Sequence, residues 1–125
     1  MTAFVVFAHG SRIESANEAV RAVAAQMGER SSYIVEPAFL ELGQPDLSAA
    51  IGRLAARGAT KVVVIPYFLT LGTHMQRDLP ALAAESARTH RIGVEVAPPL
   101  DGHPALLDVL LDRAREALSS GRQLV

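Results

Sequence analysis

The chain has 125 residues, half of them apolar, with a formal net charge of −1 and no cysteine. That length suits one domain over residues 1–125, and the near-neutral charge excludes nucleic-acid or membrane-surface binding by a basic patch. Without cysteine there are no disulfides, thiolate metal sites or thiol nucleophile. The apolar stretch at the start, Ala3–Ala8, is too short for a membrane span or a signal segment, so the expected location is the cytoplasm.

Four strand-then-helix units recur at about thirty residues, the length of one step in a parallel α/β sheet. The first strand is Ala3–Ala8. Its helix follows Ser11 and is expected to bury Ile13, Ala16, Val20, Val23 and Met27, which recur at three- and four-residue steps and stop at Gly28. The second strand lies near Tyr33–Leu40, with a helix starting at Pro45-Asp46, burying Leu47, Ile51 and Leu54, and ending at Gly58. The third strand is Lys61–Pro66. Pro80 suits a first helical turn, which predicts a helix from about Leu79 to Arg88 and leaves Thr70–Asp78 as loop. The fourth strand is Gly93–Ala97. Its helix starts at His103-Pro104, is expected to bury Leu107, Leu110, Ala114 and Leu118, and frays at Ser119-Ser120-Gly121.

The first and third runs are continuously apolar, as parallel strands covered on both faces are. Pro37 in the second run and the alternation around Glu95 in the fourth mark edge strands. Right-handed crossovers then give the order 2-1-3-4, in a three-layer αβα fold with a four-stranded parallel sheet. In that order the connections diverge between strands one and three, creating the crevice where α/β proteins bind ligands.

His9 and His74 follow those two strands. Neutral imidazole is a common metal ligand and a proton acceptor near neutral pH. Two histidines without cysteine suit an open, exchanging metal site better than a closed four-ligand one. Each histidine alone also reads as a residue bonding to backbone. Gly10 permits an unusual turn or a close ligand approach, and Ser11 reads first as a helix N-cap. Glu41, at the end of strand two beside His9, reads either as a third metal or proton group or as a solvated carboxylate. Arg12 and Arg77 flank the histidines and either attract an acidic ligand or lie solvated. His90 reads as surface, and His103 as a helix cap. No GxGxxG, GxxxxGK[ST], GxSxG or HExxH motif occurs, which removes the usual support for dinucleotide, P-loop, hydrolase and zincin readings.

The segments Ala8-His9-Gly10-Ser11-Arg12, Ala38-Phe39-Leu40-Glu41, Pro66-Tyr67-Phe68-Leu69, Gly72-Thr73-His74, Asp78-Leu79-Pro80 and His103-Pro104 together resemble the CbiX/SirB family of class II chelatases. The resemblance implies metal insertion into sirohydrochlorin, with Co²⁺ as the metal substrate, or alternatively Fe²⁺ or Ni²⁺, and no organic cofactor. It implies that His9 and His74 hold the metal and accept pyrrole protons, with Glu41 a third participant. Gly10, Ser11, Arg12 and Arg77 would then face the polycarboxylate macrocycle. Only one unit is present, so the resemblance is to the short form that works as a homodimer. The alternative is a non-catalytic metal or tetrapyrrole carrier using the same crevice. Histidine as a residue type titrates near 6.5, so activity is expected to fall below about pH 6.

Overall fold

The computed structural model describes residues 1–124. Chain order is β1 (Thr2–Ala8), α1 (Glu14–Glu29), β2 (Val35–Phe39), α2 (Leu47–Ala56), β3 (Lys61–Pro66), α3 (Thr73–His90), β4 (Gly93–Val96) and α4 (Pro104–Ser119). The strands form one parallel sheet in the order β2-β1-β3-β4, as the apolar runs and Pro37 imply. Pro37 lies opposite Val6 on the edge strand β2, where a missing N–H costs no ladder bond on the outer side. Registration of β1 with β3 runs from Thr2 opposite Lys61 to Phe7 opposite Pro66.

Side chains alternate across the sheet. Ala3, Val5 and Phe7 of β1 join Val62 and Val64 of β3, with Ile51 and Leu54 of α2 and Leu79 of α3, in the larger core. Val6 and Ala8 point the other way, onto Val20 and Ala24 of α1 and onto Phe39. Phe7, Ile51, Leu54 and Leu79 are fully buried, and each such side chain contributes about 1.5–3 kcal/mol by leaving water. Asp46 caps α2, its Oδ1 accepting from the Ala49 amide at 2.8 Å. Past the helix end, Gly58 takes φ +100°, a backbone state that favours glycine.

Several expectations change. The buried side of α1 is Asn17, Val20 and Ala24, while Ile13 and Ala16 are exposed. Helix α3 starts at Thr73, six residues before the predicted start, and Pro80 lies inside it. Proline only needs to forgo one N–H bond and avoid the carbonyl four residues back, and the buried side chains Met75, Leu79 and Ala83 hold the helix across it. His90 is half-buried. Its Nε2 lies 3.0 Å from Ser48 Oγ, and its ring sits against Gly52, where a Cβ would come within 2.7 Å of Cε1. It ties α3 to α2.

Helix α4 departs furthest. Leu107, Leu110, Ala114 and Leu118, expected in the core, are all exposed, Leu118 at 89 %. The face of the sheet opposite α2 and α3 is correspondingly half covered. Helix α1 packs against β1 and β2, and Val63 and Ile65 on the β3 side of that face are only half-buried.

Candidate functional site

The carboxyl end of the sheet is built by backbone bonds that continue the ladders past the named strands. The Leu40 amide donates to the Ala8 carbonyl at 2.9 Å, and the Glu41 amide to the His9 carbonyl at 3.0 Å. On the other side the Tyr67 amide donates to the Phe7 carbonyl at 2.7 Å. His9 and Glu41 are therefore backbone neighbours on adjacent strands.

The chain turns sharply after His9. Gly10 has φ +91°, and a Cβ on it would lie 1.6 Å from the Glu41 carbonyl oxygen. Only glycine allows the two loops to meet this closely. Beneath them lies Asn17, 1 % exposed, which the sequence reading did not single out. Its Oδ1 accepts from the Ser11 amide at 2.9 Å. Its Nδ2 donates to the Ser11 carbonyl and to the Leu42 carbonyl, both at 2.9 Å. One buried amide thus clamps the loop after His9 to the loop after Glu41. The available signal was its position on the same helical stripe as Val20, Ala24 and Met27.

Ser11 is not the N-cap of α1. That position falls to Ile13, whose amide donates to Ser11 Oγ at 3.0 Å, closing a short local turn ahead of the helix. Glu14 and Glu18 meet the Arg21 guanidinium. Arg21 also donates to the Gln44 carbonyl at 3.2 Å and lies over the Phe39 ring at 5.2 Å. The hydrogen bond from Arg21, and secondarily that from Asn17, holds the Glu14 carboxyl below its ordinary pKa.

The imidazole of His9 lies tilted on the Phe68 ring, centroids 4.4 Å apart, and Phe68 meets Phe7 edge-on at 5.9 Å. His9 is exposed above this aromatic floor. His74 is exposed in the first turn of α3 rather than in a loop. The Gln76 amide donates to the Gly72 carbonyl and its side chain to the Leu71 carbonyl at 3.2 Å, which fixes that turn. Helix N-termini carry unpaired N–H groups and a positive dipole end, which favour anionic ligands. The structure thus brings His9, Gly10, Ser11, Arg12 and Glu41 together after β1 and β2, with His74 and Arg77 at the start of α3. Arg12 is exposed; Arg77 lies 3.5 Å from Asp78 in a solvent-facing pair. Among the described residues no group of three or more His, Asp or Glu side chains is gathered to hold a metal ion. His9, His74 and Glu41 therefore form no compact three-ligand cluster within this chain.

His103 caps α4, its Nδ1 accepting from the Ala105 amide at 3.0 Å. A cavity of 230 Å³ opens between α2 and α3, lined by Asp46, Ser48, Glu85 and Ser86 among others, and by none of the predicted site residues. It is below the ~300 Å³ at which small-molecule pockets begin. Among the described residues no helix is long and apolar enough to cross a membrane.

Residues 3–117 match the family model CbiX. A sirohydrochlorin ferrochelatase from the chloroplast of Arabidopsis thaliana is 37% identical over 117 residues, covering 92% of this chain and 52% of that protein. The chain thus spans about half the length of that relative. A sirohydrochlorin cobaltochelatase of Sulfolobus acidocaldarius is 31% identical over 119 residues, covering 95% of this chain and 94% of that protein. Among solved structures, a CbiX protein from Marinobacter aquaeolei VT8 superposes with a TM-score of 0.87 at 26% identity, over 97% of this chain and 100% of the other. The sirohydrochlorin chelatase SirB from Bacillus subtilis subspecies spizizenii, in complex with cobalt, gives a TM-score of 0.84 at 24% identity. It covers 92% of this chain and 50% of the other, a likeness of fold.

Proposed function

The chain belongs to the CbiX family, and from that membership we propose that it is a sirohydrochlorin chelatase, inserting a divalent metal into the macrocycle as a step in tetrapyrrole biosynthesis. Its relatives carry cobaltochelatase and ferrochelatase names. We take Co²⁺ as the metal substrate, with Fe²⁺ and Ni²⁺ as alternatives, and the chemistry calls for no organic cofactor. The observation that carries the reading is the meeting of His9 with the Glu41 backbone at the end of β1, while His74 opens α3 after the neighbouring strand β3.

In this reading the 125 residues act as one unit, and His9 and His74 hold the incoming metal with few enough bonds to release it. Insertion exchanges one M²⁺ for two pyrrole protons. Each pyrrole N–H gives its proton to an imidazole nitrogen or, at the second step, to the Glu41 carboxylate, and the freed nitrogen lone pairs take the metal. The protons then pass to water. A protonated imidazole no longer binds metal, so proton uptake also releases the ion toward the ring. Gly10, Ser11, Arg12 and Arg77 face the macrocycle's carboxylates, the arginines by charge and the loop by its backbone N–H groups. One lobe of this size cannot enclose a tetrapyrrole, and we propose that two copies face each other across it as a homodimer in the cytoplasm.

Anaerobic spectrophotometry with sirohydrochlorin and Co²⁺, Fe²⁺ or Ni²⁺ tests the proposal. Multiple-turnover insertion is expected, with loss of at least 10²-fold in His9→Ala and in His74→Ala. Wild-type rates in either variant remove that histidine from the mechanism. Binding of metal and macrocycle without turnover makes the chain a carrier.

A further inference from the structure

Among the described residues, two besides glycine stand in the left-handed backbone region, Leu42 at φ 57° and Arg91 at φ 53°. Arg91 is the C-cap of α3, an ordinary place for that conformation. Leu42 ends no helix, and for a bulky side chain such a φ is an outlier that costs free energy. Its surroundings keep it there. Just before it, the Glu41 amide donates to the His9 carbonyl at 3.0 Å, and the Leu42 carbonyl itself accepts from Asn17 Nδ2 at 2.9 Å. Beyond it the Gln44 carbonyl accepts from Arg21 at 3.2 Å, and the Pro45 carbonyl from the Phe39 amide at 2.9 Å. Gly43 rests on the same support: a Cβ there would fall 2.9 Å from the Phe39 ring and 3.2 Å from Asn17 Nδ2. The loop is thus fixed on both sides of Leu42. Yet the side chain so held is 53% exposed. A leucine that is both strained and exposed gains little for the fold of the free chain, and strain of this kind gathers at ligand clamps.

We propose that Leu42 is a substrate-gripping residue, held in a strained backbone state so that its side chain meets the apolar face of the macrocycle. The inference rests on the chelatase reading above and names a contact for the ring rather than for its carboxylates. A polycarboxylate tetrapyrrole carries its acids on the periphery and presents two faces of ring carbon. Arg12, Arg77 and the loop amides suit the acids and leave the faces without a partner. Leu42 directly follows Glu41, and the one Asn17 amide that bonds its carbonyl also bonds the Ser11 carbonyl. It therefore lies on the rim that carries His9. Three more large apolar side chains are exposed at that end of the sheet, Ile13 ahead of α1 and Tyr67 and Leu69 just past β3. An apolar ring face approaching His9 takes such groups from water, which favours binding. Of the four, Leu42 alone has a left-handed backbone, so its grip on a ligand can be separated from its effect on the fold.

Anaerobic titration with metal-free sirohydrochlorin, followed by its absorbance, and urea unfolding of the same chains provide the test. Leu42→Ala keeps the Cβ and the strain but removes the contact, so macrocycle binding should weaken about 10-fold at an unchanged urea midpoint. Leu42→Asn removes the contact and also eases the backbone, since asparagine tolerates the left-handed region. It should bind as weakly as the alanine variant yet raise the urea midpoint by about 0.5 M. Leu42→Met returns an apolar side chain of similar volume and should restore wild-type affinity. Turnover at saturating macrocycle should stay near wild type in all three, because the contact is made equally before and during insertion. Wild-type affinity in Leu42→Ala overturns the grip, and an asparagine variant no more stable than wild type overturns the strain. Variants that bind the macrocycle normally but dissociate a dimer in sedimentation velocity overturn the proposal in favour of a contact between copies. Each of these results leaves the chelatase reading standing. A wild-type chain that neither binds nor metallates sirohydrochlorin overturns both.

Discussion

Replacing Gly10 by alanine should damage fold and rate together, and both effects can be worked out from the loop geometry. The alanine Cβ would stand 1.6 Å from the Glu41 carbonyl oxygen. Cβ atoms essentially never approach within 3.0 Å, so one loop must retreat by more than 1 Å. At φ +91° an L side chain adds about 1–3 kcal/mol of backbone strain. If the retreat also breaks the Glu41 to His9 bond, about 0.5–1.5 kcal/mol more is lost. The expected cost is about 2–4 kcal/mol, read as a lower urea midpoint at unchanged m. Displacing a positioned group by 1 Å can cost about 10²-fold in rate, so kcat/KM for metal insertion should fall by that order in the fraction that remains folded. An alanine variant within ~0.5 kcal/mol of wild type, inserting metal at the wild-type rate, would refute the view that loop contact holds His9 and Glu41 in place.

Asn17→Ala removes three 2.9 Å bonds from a buried amide to the Ser11 and Leu42 backbone and should cost about 2–4 kcal/mol; urea unfolding with a loss under ~1 kcal/mol would mean water replaces the amide. Glu14 is held below its ordinary pKa, so its contribution is complete above the unfolded carboxylate value and disappears as pH falls through the lower folded one. The small stability advantage of wild type over Glu14→Gln should therefore be present at pH 7 and shrink as acid protonates the folded-state carboxyl, while a gap that widens on acidification would contradict the sign. Cobalt binding by calorimetry should be weaker at pH 5 than at pH 7.5, because protonated imidazole cannot ligate. The His9→Ala/His74→Ala chain should show no such dependence; an equal pH effect in that variant would assign the binding elsewhere.

The sheet was legible because two constraints agreed. Continuous apolar runs at β1 and β3 demanded burial on both faces, and Pro37 could only sit at an edge. The start of α3 was misread because a proline that fits a first turn also fits mid-helix when Leu79 and Met75 are buried on either side of it. On α4 the amphipathic stripe was read correctly and its partner was not, since periodicity reports which side is apolar and nothing about what meets it. His9 and His74 were singled out by their place after two central strands, and the structure puts them just past β1 and in the first turn of α3. Asn17 was passed over because a polar residue on an apolar stripe looks like noise until the carbonyls of Ser11 and Leu42 are known to converge on it. His90 looked solvent-facing for the opposite reason, its role depending on Gly52 in another helix.

The ladder bonds that run on past Ala8, Phe7 and Phe39 have a consequence for how such a protein changes over generations. They hold the ends of β1 and β2 through main-chain atoms, with the Asn17 amide clamping the loops just beyond, while His9 and Glu41 at those ends and His74 at the start of α3 are exposed. Substitution at an exposed position usually alters stability by no more than ~0.5 kcal/mol. The side chains proposed above to meet an incoming ion can thus be exchanged one at a time without disturbing the frame that carries them, so under that proposal a lineage can shift its metal preference while its architecture stays still.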